Sequence, residues 1–442
     1  MRLFACGMET HVELLGSTNT GSNIVKIKTL QYALFSSVGL LAISLASGAA
    51  HAQAGAASYT FKGSDISSSS NLPTGEGKSR LPLIDASRFP LGGREAAAVP
   101  SGEKGAATRS SDEETDDSED AVSPNAYGSS QEKWPYTTSR VAVQAKGNSQ
   151  NTAAKTPVTS LPYRLTGKLW VRFDAGWFVC TASLIKKNVL ISAAHCVHNY
   201  GKKEAGFGKE ARWYPANISN SFPGSGEEQP YGEFIATKVS IPSPYFDGTD
   251  TCAQGAVGVV CNNDIAVIVL KPRDGKAASQ ILGGTYSYGW NGYSFIKSPA
   301  FGKASVAAVT QLGYPVAFDG GYQMQRTDSF GKYVEDKGTN GKPLKNTQLG
   351  SAQTGGSSGG PWLVNFGTKP KITEGEATPG NKAQLNTIVG MTSWGYTQPG
   401  PNVQGASWLG VNTEYPKAKY GNYGAGNVGF MVQEACKNAG AC

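Results

Sequence analysis

The sequence predicts an all-β protein of the sandwich or barrel type, and three observations lead to this fold class. Its apolar segments have strand length, clusters of Gly, Pro and Asn separate them, and no long stretch has helical periodicity. The clearest segments are residues 168–173, 177–185, 233–241, 264–270, 307–314 and 387–394. With 56 glycines and only 17% charged residues, the composition also favours a loop-rich β protein over a helical bundle.

The chain begins with the pattern of an export signal. Two lysines, Lys26 and Lys28, precede an apolar run at 32–45, and small residues then lead to Ala50-His51-Ala52. This order is typical of a secretory signal peptide, so residues 1–52 are predicted to be removed before Gln53. The run is too short and too rich in serine to favour a membrane span, and a buried helix is the weaker alternative. The residues before Val25 are unusual for a signal, which leaves open a translation start inside this chain.

Residues 53–160 have the composition of a segment without its own core. They are rich in Ser, Gly, Ala, Thr and Pro, and they include the acidic block 111–120. Such a stretch buries too little apolar surface to offset the entropy of ordering, so it is predicted to be disordered or loosely folded. Its place behind a signal peptide predicts a pro-segment, with a permanent surface linker as the alternative.

The net charge of +7 does not by itself indicate a nucleic-acid partner. Such partners are contacted by basic residues gathered in a patch or stripe. No Lys/Arg stripe with interleaved aromatic residues occurs in the sequence. We therefore expect no nucleic-acid partner, and no stable membrane insertion once the signal peptide is removed.

The cysteines predict disulfides, since export places the chain in an oxidising compartment. Of seven cysteines, Cys6 falls in the predicted signal, and the other six allow 15 pairings. Neighbours in sequence favour three of these pairs, namely Cys180–Cys196, Cys252–Cys261 and Cys436–Cys442. A zinc site is the competing interpretation, but the sequence has no C-x-x-C pair to support it.

A histidine base in the mature chain can only be His195 or His198, because the other two histidines fall in the predicted signal. His195 follows an apolar strand and adjoins Cys196, so a disulfide would fix its turn. A purely structural histidine is the alternative. A metal site is disfavoured, since no carboxylate has useful spacing and the cysteine is expected to be oxidised. His198 is predicted to lie on the surface.

Asp264 is the candidate partner of that base. It opens the apolar segment 264–270, directly after two asparagines. Taken alone, it would be interpreted as a turn residue. A histidine base, however, needs an acceptor that holds one ring proton and stabilises the imidazolium. Few other acidic residues lie so clearly at a core boundary.

The stretch TGGSSGGPW at 354–362 predicts the nucleophile, Ser358. The N–H groups of Gly356 and Ser358 could converge on one point and stabilise an oxyanion, and glycine permits the positive φ angles that this requires. A flexible linker is the alternative, but Pro361 and an apolar segment follow at once. The G-x-S-x-G elbow of α/β-hydrolases fits the same letters, yet that fold needs a later histidine, and none follows His198.

Four motifs occur in the order His, Asp, Ser and Ser-Trp-Gly, at 192–196, 264–270, 356–361 and 393–395. Through them the chain resembles the chymotrypsin-like serine peptidase family over residues 163–431. Residues 163–173 and 313–315 look like its secreted bacterial branch, which includes the V8-type glutamyl endopeptidases. The resemblance implies two antiparallel β-barrels, at 161–275 and 276–442, with the active site in the cleft between them.

The resemblance also implies roles for individual residues. His195, Asp264 and Ser358 would form a triad that hydrolyses peptide bonds through an acyl-enzyme, without a cofactor. Ser393, Trp394 and Gly395 would pair with an extended protein or peptide substrate as an added strand. The base of the specificity pocket would be Ala352, whose lack of charge argues against a preference for Lys or Arg.

Two departures from the family pattern limit what is carried over. Animal members have an aspartate that pairs with a new N-terminus, where this chain has Ser357 and no visible IVGG start. Glutamyl-specific members have a histidine near Ser-Trp-Gly, where this chain has Thr392 and Ser393. The sequence therefore supports neither that activation mechanism nor a glutamate preference. A catalytically silent secreted binding or adhesion protein on the same fold remains the alternative function, and a lipid or ester hydrolase is less favoured.

Overall fold

Two β-sheets contain every strand in the part of the chain that the structure describes. The structure is a computed structural model, and it describes residues 51–53, 55–63, 78–84, 134–141, 157–218, 229–367, 384–396, 402–416 and 424–442. All of these belong to one compact unit, Gly48–Cys442, whereas a second unit, Met1–Ser47, lies outside the described residues. The predicted signal peptide therefore falls almost entirely outside them.

The first sheet has nine strands: β1 (His51–Gln53), β2 (Ala56–Thr60), β3 (Lys78–Ser79), β6 (Thr166–Phe173), β7 (Gly176–Lys186), β8 (Val189–Ser192), β9 (Glu210–Pro215), β10 (Phe234–Pro242) and β11 (Ala266–Leu270). Six of them, β6 to β11, form a closed antiparallel ring in the order β6-β7-β8-β11-β10-β9. The ring closes because β9 pairs with both β10 and β6. This is the first of the two predicted barrels.

The second sheet has eleven strands: β4 (Leu83–Ile84), β5 (Tyr136–Arg140), β12 (Ser287–Tyr288), β13 (Ile296–Ser298), β14 (Ala304–Gly313), β15 (Gln325–Lys337), β16 (Pro343–Gly350), β17 (Pro361–Val364), β18 (Thr387–Met391), β19 (Trp394–Tyr396) and β20 (Val403–Ser407). Its antiparallel path runs β18-β17-β14-β15-β16-β20-β19. Because β19 directly continues β18, this path returns on itself. The predicted all-β fold with two antiparallel barrels is confirmed.

The described helices are short: α1 (Ala194–Val197), α2 (Ser243–Asp247), α3 (Ala278–Leu282) and α4 (Gly426–Cys436). Single 3-10 turns occur at Pro157–Thr159, Tyr163–Leu165, Lys203–Gly206, Pro299–Phe301 and Asp319–Gly321. None of the helices described is long and apolar enough to cross a membrane.

The C-terminal helix corrects the predicted division of the chain. Residues 276–442 were predicted to form the second barrel, but α4 packs against β10 and β11 of the first. Its buried face consists of Val428, Met431, Val432 and Ala435. Since α4 covers the outer face of β11, all five residues of that strand are buried, which explains its uninterrupted apolar sequence.

Parts of the segment 53–160 are ordered strands, which differs from the predicted disorder. β2 pairs with β10, and β5 pairs with β15, both antiparallel. β3 and β4 add to β7 and β19 in parallel. These pieces lack a core of their own, but they satisfy their backbone groups at the free edges that the two sheets offer. The acidic block 111–120 lies outside the described residues.

Candidate active site

His195 lies at the junction of β8 and α1, where the chain turns out of the first barrel. The disulfide Cys180–Cys196 joins this turn to β7, with the two Cα atoms 6.1 Å apart. The imidazole is 4% exposed. The neighbouring strand therefore fixes the backbone of the turn, and the ring orientation is left to its hydrogen-bond partners.

Those partners are both oxygens of Asp264. Oδ1 accepts a hydrogen bond of 2.8 Å from the backbone N–H of His195, and Oδ2 lies 2.7 Å from Nδ1 of the ring. A carboxylate at Nδ1 holds a proton there, which leaves Nε2 of the neutral ring as the proton acceptor. The structure thus brings together two of the three predicted triad residues, in the geometry that a general base needs.

The turn that carries Asp264 is held by a buried carboxylate that the sequence analysis missed. Asp250 accepts hydrogen bonds from the backbone N–H of Asn263 at 2.8 Å and from its side-chain amide at 2.6 Å. Burial, together with the charge of Glu414, raises the pKa of Asp250 well above its ordinary value. The disulfide Cys252–Cys261 closes the preceding loop. Asp250 is thus a positioning residue for Asp264.

Two serines of the second barrel complete the surroundings of Asp264. The hydroxyl of Ser393 donates to Oδ2 at 2.5 Å, and the backbone N–H of Asp264 donates to Oγ of Ser407 at 3.0 Å. Hydrogen bonds to an ionised carboxylate are among the stronger ones in proteins. Ser393 was predicted to pair with an extended substrate together with Trp394 and Gly395, and its side chain contacts the candidate triad.

The glycine loop that carries Ser358 lies between the two barrels. The backbone carbonyl of Ser358 accepts a hydrogen bond of 2.7 Å from the backbone N–H of Thr181 on β7. The Thr181 hydroxyl donates to the carbonyl of Gly356 at 2.9 Å. Gly356 has a φ of +96° and Gly359 a φ of +75°, conformations that favour glycine. On Gly359, a Cβ atom would meet Ser192, three residues before His195. The serine loop therefore packs directly against the turn that leads to His195.

The hydroxyl of Ser358 has no hydrogen-bond partner among the described residues, although it is fully buried. The structure therefore places Ser358 beside the turn of His195 without joining the two side chains by a hydrogen bond. The backbone N–H groups of Gly356 and Ser358 likewise donate to no acceptor within the described ranges. The Ser358 hydroxyl and the backbone N–H groups of Gly356 and Ser358 thus have no hydrogen-bond partner among the described residues.

The remaining predicted substrate-binding residues occupy different surroundings. Ala352 is half-buried in the loop that precedes Ser358. Trp394 is fully buried, and its indole N–H donates to Asn346 at 3.0 Å, so its ring belongs to the core of the second barrel. The backbone N–H of Gly395 donates to the carbonyl of Pro82 at 3.0 Å.

The prediction that His198 lies on the surface is wrong. Its ring is fully buried and packs against Phe207 and Phe246. Nε2 donates to the carbonyl of Lys203 at 2.7 Å, whereas Nδ1 has no partner among the described residues. Burial lowers the pKa of His198 to about 4. This ring is a neutral part of the core and does not reach the site.

The three favoured disulfides are all present: Cys180–Cys196, Cys252–Cys261 and Cys436–Cys442. Cys180, His195 and Cys196 lie close enough together to suggest a metal cluster by distance alone. Because the two sulfurs are bonded to each other, they are not available as thiolate ligands.

Comparisons with known proteins give similarity only among solved structures. No protein-family model matches the chain, and no curated protein matches its sequence. A thermostable serine protease from an extremophilic microorganism is 20% identical, with a TM-score of 0.39, over 55% of this chain and 91% of that one. The protease Anisep from Arthrobacter nicotinovorans is 17% identical, with a TM-score of 0.38, over 55% of this chain and 90% of that one. A Glu endopeptidase in complex with MPD is 16% identical, with a TM-score of 0.37, over 61% of this chain and 89% of that one.

Proposed function

We propose that the protein is a secreted serine endopeptidase that hydrolyses peptide bonds through an acyl-enzyme. The observation that carries this proposal is the pairing of His195 with both oxygens of Asp264, beside a glycine loop whose serine hydroxyl is unpaired. A carboxylate on Nδ1 of His195 leaves Nε2 as the nitrogen available to take a proton, and the nearest contact of Nε2 is the disulfide sulfur of Cys196 at 3.8 Å.

The proposed reaction gives each of these groups a role. Nε2 of His195 takes the proton of Ser358 as the hydroxyl oxygen attacks the scissile carbonyl carbon, and Asp264 stabilises the imidazolium. The negative oxygen that forms is held by the N–H groups of Gly356 and Ser358. His195 then gives its proton to the leaving amine, and the C–N bond breaks. Water repeats the sequence on the ester, releases the acid and restores Ser358.

The same proposal includes a substrate class. The backbone N–H of Gly395 lies on β19, beside the serine loop, where an extended peptide can add as a strand. Residues before the cleaved bond would lie along β19, and the residue next to that bond would face Ala352. We propose protein or peptide substrates whose residue at this position is uncharged.

We also propose export, followed by removal of a pro-segment. The three disulfides favour an oxidising compartment, either outside the cell or in the periplasm, and residues 1–52 would be the signal. Residues 53–160 would be the pro-segment, 161–275 the first barrel and 276–442 the second, except that α4 packs on the first barrel. The proposed mechanism uses no cofactor.

A pair of adjacent serines allows a matched test of the nucleophile. In protein matured by removal of residues 53–160, Ser358→Ala should abolish the release of peptides from denatured casein, while leaving the thermal unfolding curve unchanged. In Ser357→Ala the neighbouring hydroxyl, which donates to the carbonyl of Thr354, is removed instead. Because that hydroxyl only supports the loop, activity should stay within about tenfold of wild type. Wild-type hydrolysis by Ser358→Ala would overturn the assignment of the nucleophile.

A further inference from the structure

Residues 78–84, which we call the cleft segment, cross from one barrel to the other. Its first strand, β3, pairs in parallel with β7 at Phe178 and Val179 of the first barrel. Its last strand, β4, pairs in parallel with β19 at Gly395 and Tyr396 of the second barrel. The Ser358 loop lies between these two attachment points. The carbonyl of Ser358 accepts a hydrogen bond from the backbone N–H of Thr181 on β7.

The middle of the cleft segment contacts the groups assigned above to substrate binding. The side chain of Ser79 lies over Gly355, where it fills the position that a Cβ atom would take. Leu81 is 8% exposed and lies between Gly355 and Gly395, with its Cδ2 atom 3.3 Å from the position of a Gly395 Cβ. The carbonyl of Pro82 accepts the hydrogen bond of Gly395. The segment thus uses the backbone donor that a substrate strand would need.

Arg80 anchors the segment on the first barrel. Its guanidinium lies 3.9 Å from the centre of the Phe173 ring and donates to the side-chain oxygen of Asn199 at 2.6 Å. Burial lowers the pKa of Arg80 to about 10, although the charge of Asp264 acts in the opposite sense. A cation that is partly desolvated yet stacked on an aromatic ring and hydrogen-bonded is a specific contact rather than a chance position of a loop.

The direction of the cleft segment is opposite to that of a substrate. In the proposed reaction, the residues before the cleaved bond lie along β19 and the chain after that bond continues past Ser358 towards β7. A substrate therefore runs from β19 to β7. The cleft segment runs from β7, at β3, to β19, at β4.

We propose that residues 78–84 are an intramolecular ligand of the substrate cleft, bound in the reverse direction, which keeps the full-length chain inactive. This inference rests on the proposed function, because that function defines the cleft and its direction. Reversal exchanges the places of the carbonyl and the N–H along the bound strand. In this orientation, no peptide bond of the segment has its carbonyl carbon at Ser358 and its nitrogen towards His195. The bound segment is therefore not cleaved.

The rate at which a fluorophosphonate probe labels the full-length protein tests this occupancy. Leu81→Asp places a charge in a buried apolar contact, so the segment should leave the cleft and labelling should rise by roughly tenfold to a hundredfold. Ile296→Asp is the control, because it adds the same charge outside the cleft segment on a residue that is 67% exposed. Its labelling rate should stay within about threefold of wild type. Arg80→Ala, which removes the anchor, should give an increase of several fold.

Hydrogen exchange provides a readout that does not depend on activity. In Ser358→Ala, the amide of Gly395 should exchange slowly, because it donates to Pro82. Adding Leu81→Asp should make that amide exchange at least about tenfold faster. Equal exchange in the two chains, together with equal labelling in the chains that keep Ser358, would overturn the inference. Faster exchange without labelling or hydrolysis in Leu81→Asp would preserve the inference and contradict the proposed function.

The reverse direction has its own test in the intact chain. Mass spectrometry of purified full-length protein should find the bonds from Ser79 to Pro82 uncut, even where Leu81→Asp cleaves casein. If wild type is cut at any of these bonds and Ser358→Ala is not, the segment binds in the productive direction. That result would overturn the reverse-binding proposal.

Discussion

The two halves of the candidate site are built in opposite ways. In the half from the first barrel, His195 and Asp264 are joined by two hydrogen bonds; Asp264 also accepts one from the Ser393 hydroxyl and donates its backbone N–H to Ser407. In the half from the second barrel, the Ser358 loop is held by its backbone, while the Ser358 hydroxyl has no partner in the described part of the chain.

The difference corresponds to what each half has to do in the proposed reaction. The His195–Asp264 pair keeps the same geometry throughout the cycle, so fixed hydrogen bonds help it. The Ser358 hydroxyl has to give its proton to His195 and then form and break a bond to the substrate carbon, so a fixed hydrogen bond to any other group would compete with the reaction. Covering the cleft with residues 78–84 is then a way to keep a free nucleophile from acting before maturation.

The largest expected effect comes from breaking the fixed half. Asp264→Asn should lower kcat by about four orders of magnitude, because an amide in place of the carboxylate favours the wrong tautomer of His195. Steady-state hydrolysis of a peptide substrate measures this change, with both the reference protein and the Asp264→Asn variant made in the Leu81→Asp chain. Asp174→Asn is the control, since this carboxylate also lies on the first barrel but its side chain is 84% exposed. If Asp264→Asn kept more than about a tenth of the activity, Asp264 would not orient the base.

A second effect is the loss of folding stability that His198 causes in acid. Because the pKa of His198 is lowered to about 4, the unfolded chain binds this proton below about pH 6.5 while the folded chain does not. The free energy of unfolding should therefore fall by about 3 kcal/mol between these two pH values, with no further loss from this group below about pH 4.

Denaturant unfolding from pH 7 to pH 4 checks this change, with His198→Phe as the comparison. The variant keeps an aromatic ring beside Phe207 and Phe246 but cannot titrate. Other titrating groups affect both chains alike, so the difference between the two curves isolates His198. Parallel curves would contradict the account of a neutral core histidine.

The smallest effect concerns the support that the second barrel gives to Asp264. Ser393→Ala removes one hydrogen bond to a buried carboxylate, so kcat should fall by about tenfold. Steady-state hydrolysis by the Leu81→Asp chain, with and without Ser393→Ala, measures this change. An unchanged kcat would mean that the Ser393 hydroxyl does not support Asp264.

The sequence was sufficient for those features that lie in short local patterns. The three disulfides between neighbouring cysteines could be predicted, because each pair closes a loop of at most 16 residues. The helix α4 also had a local signal, with apolar residues at 428, 431, 432 and 435. Its glycines at 424, 426 and 429 weakened that helical signal.

The missed features depend on contacts between distant parts of the chain. β3 and β4 have two residues each, too few for an alternating pattern, and they form only because β7 and β19 offer free edges. Asp250 looks like any loop carboxylate until the fold places Asn263 against it. His198 is buried by aromatic partners that are up to 48 residues away in sequence, so its local sequence could not show whether it lies on the surface or in the core.

The central claim is that His195 makes Ser358 nucleophilic, and the site and rate of phosphonylation test it most directly. Wild type, Leu81→Asp and Leu81→Asp with His195→Ala are treated with the fluorophosphonate probe, and the adduct is located by peptide mapping. The account predicts a single adduct on Ser358, formed fastest in Leu81→Asp and at least about a thousandfold more slowly without His195. An adduct on another residue, or equal rates with and without His195, would contradict it.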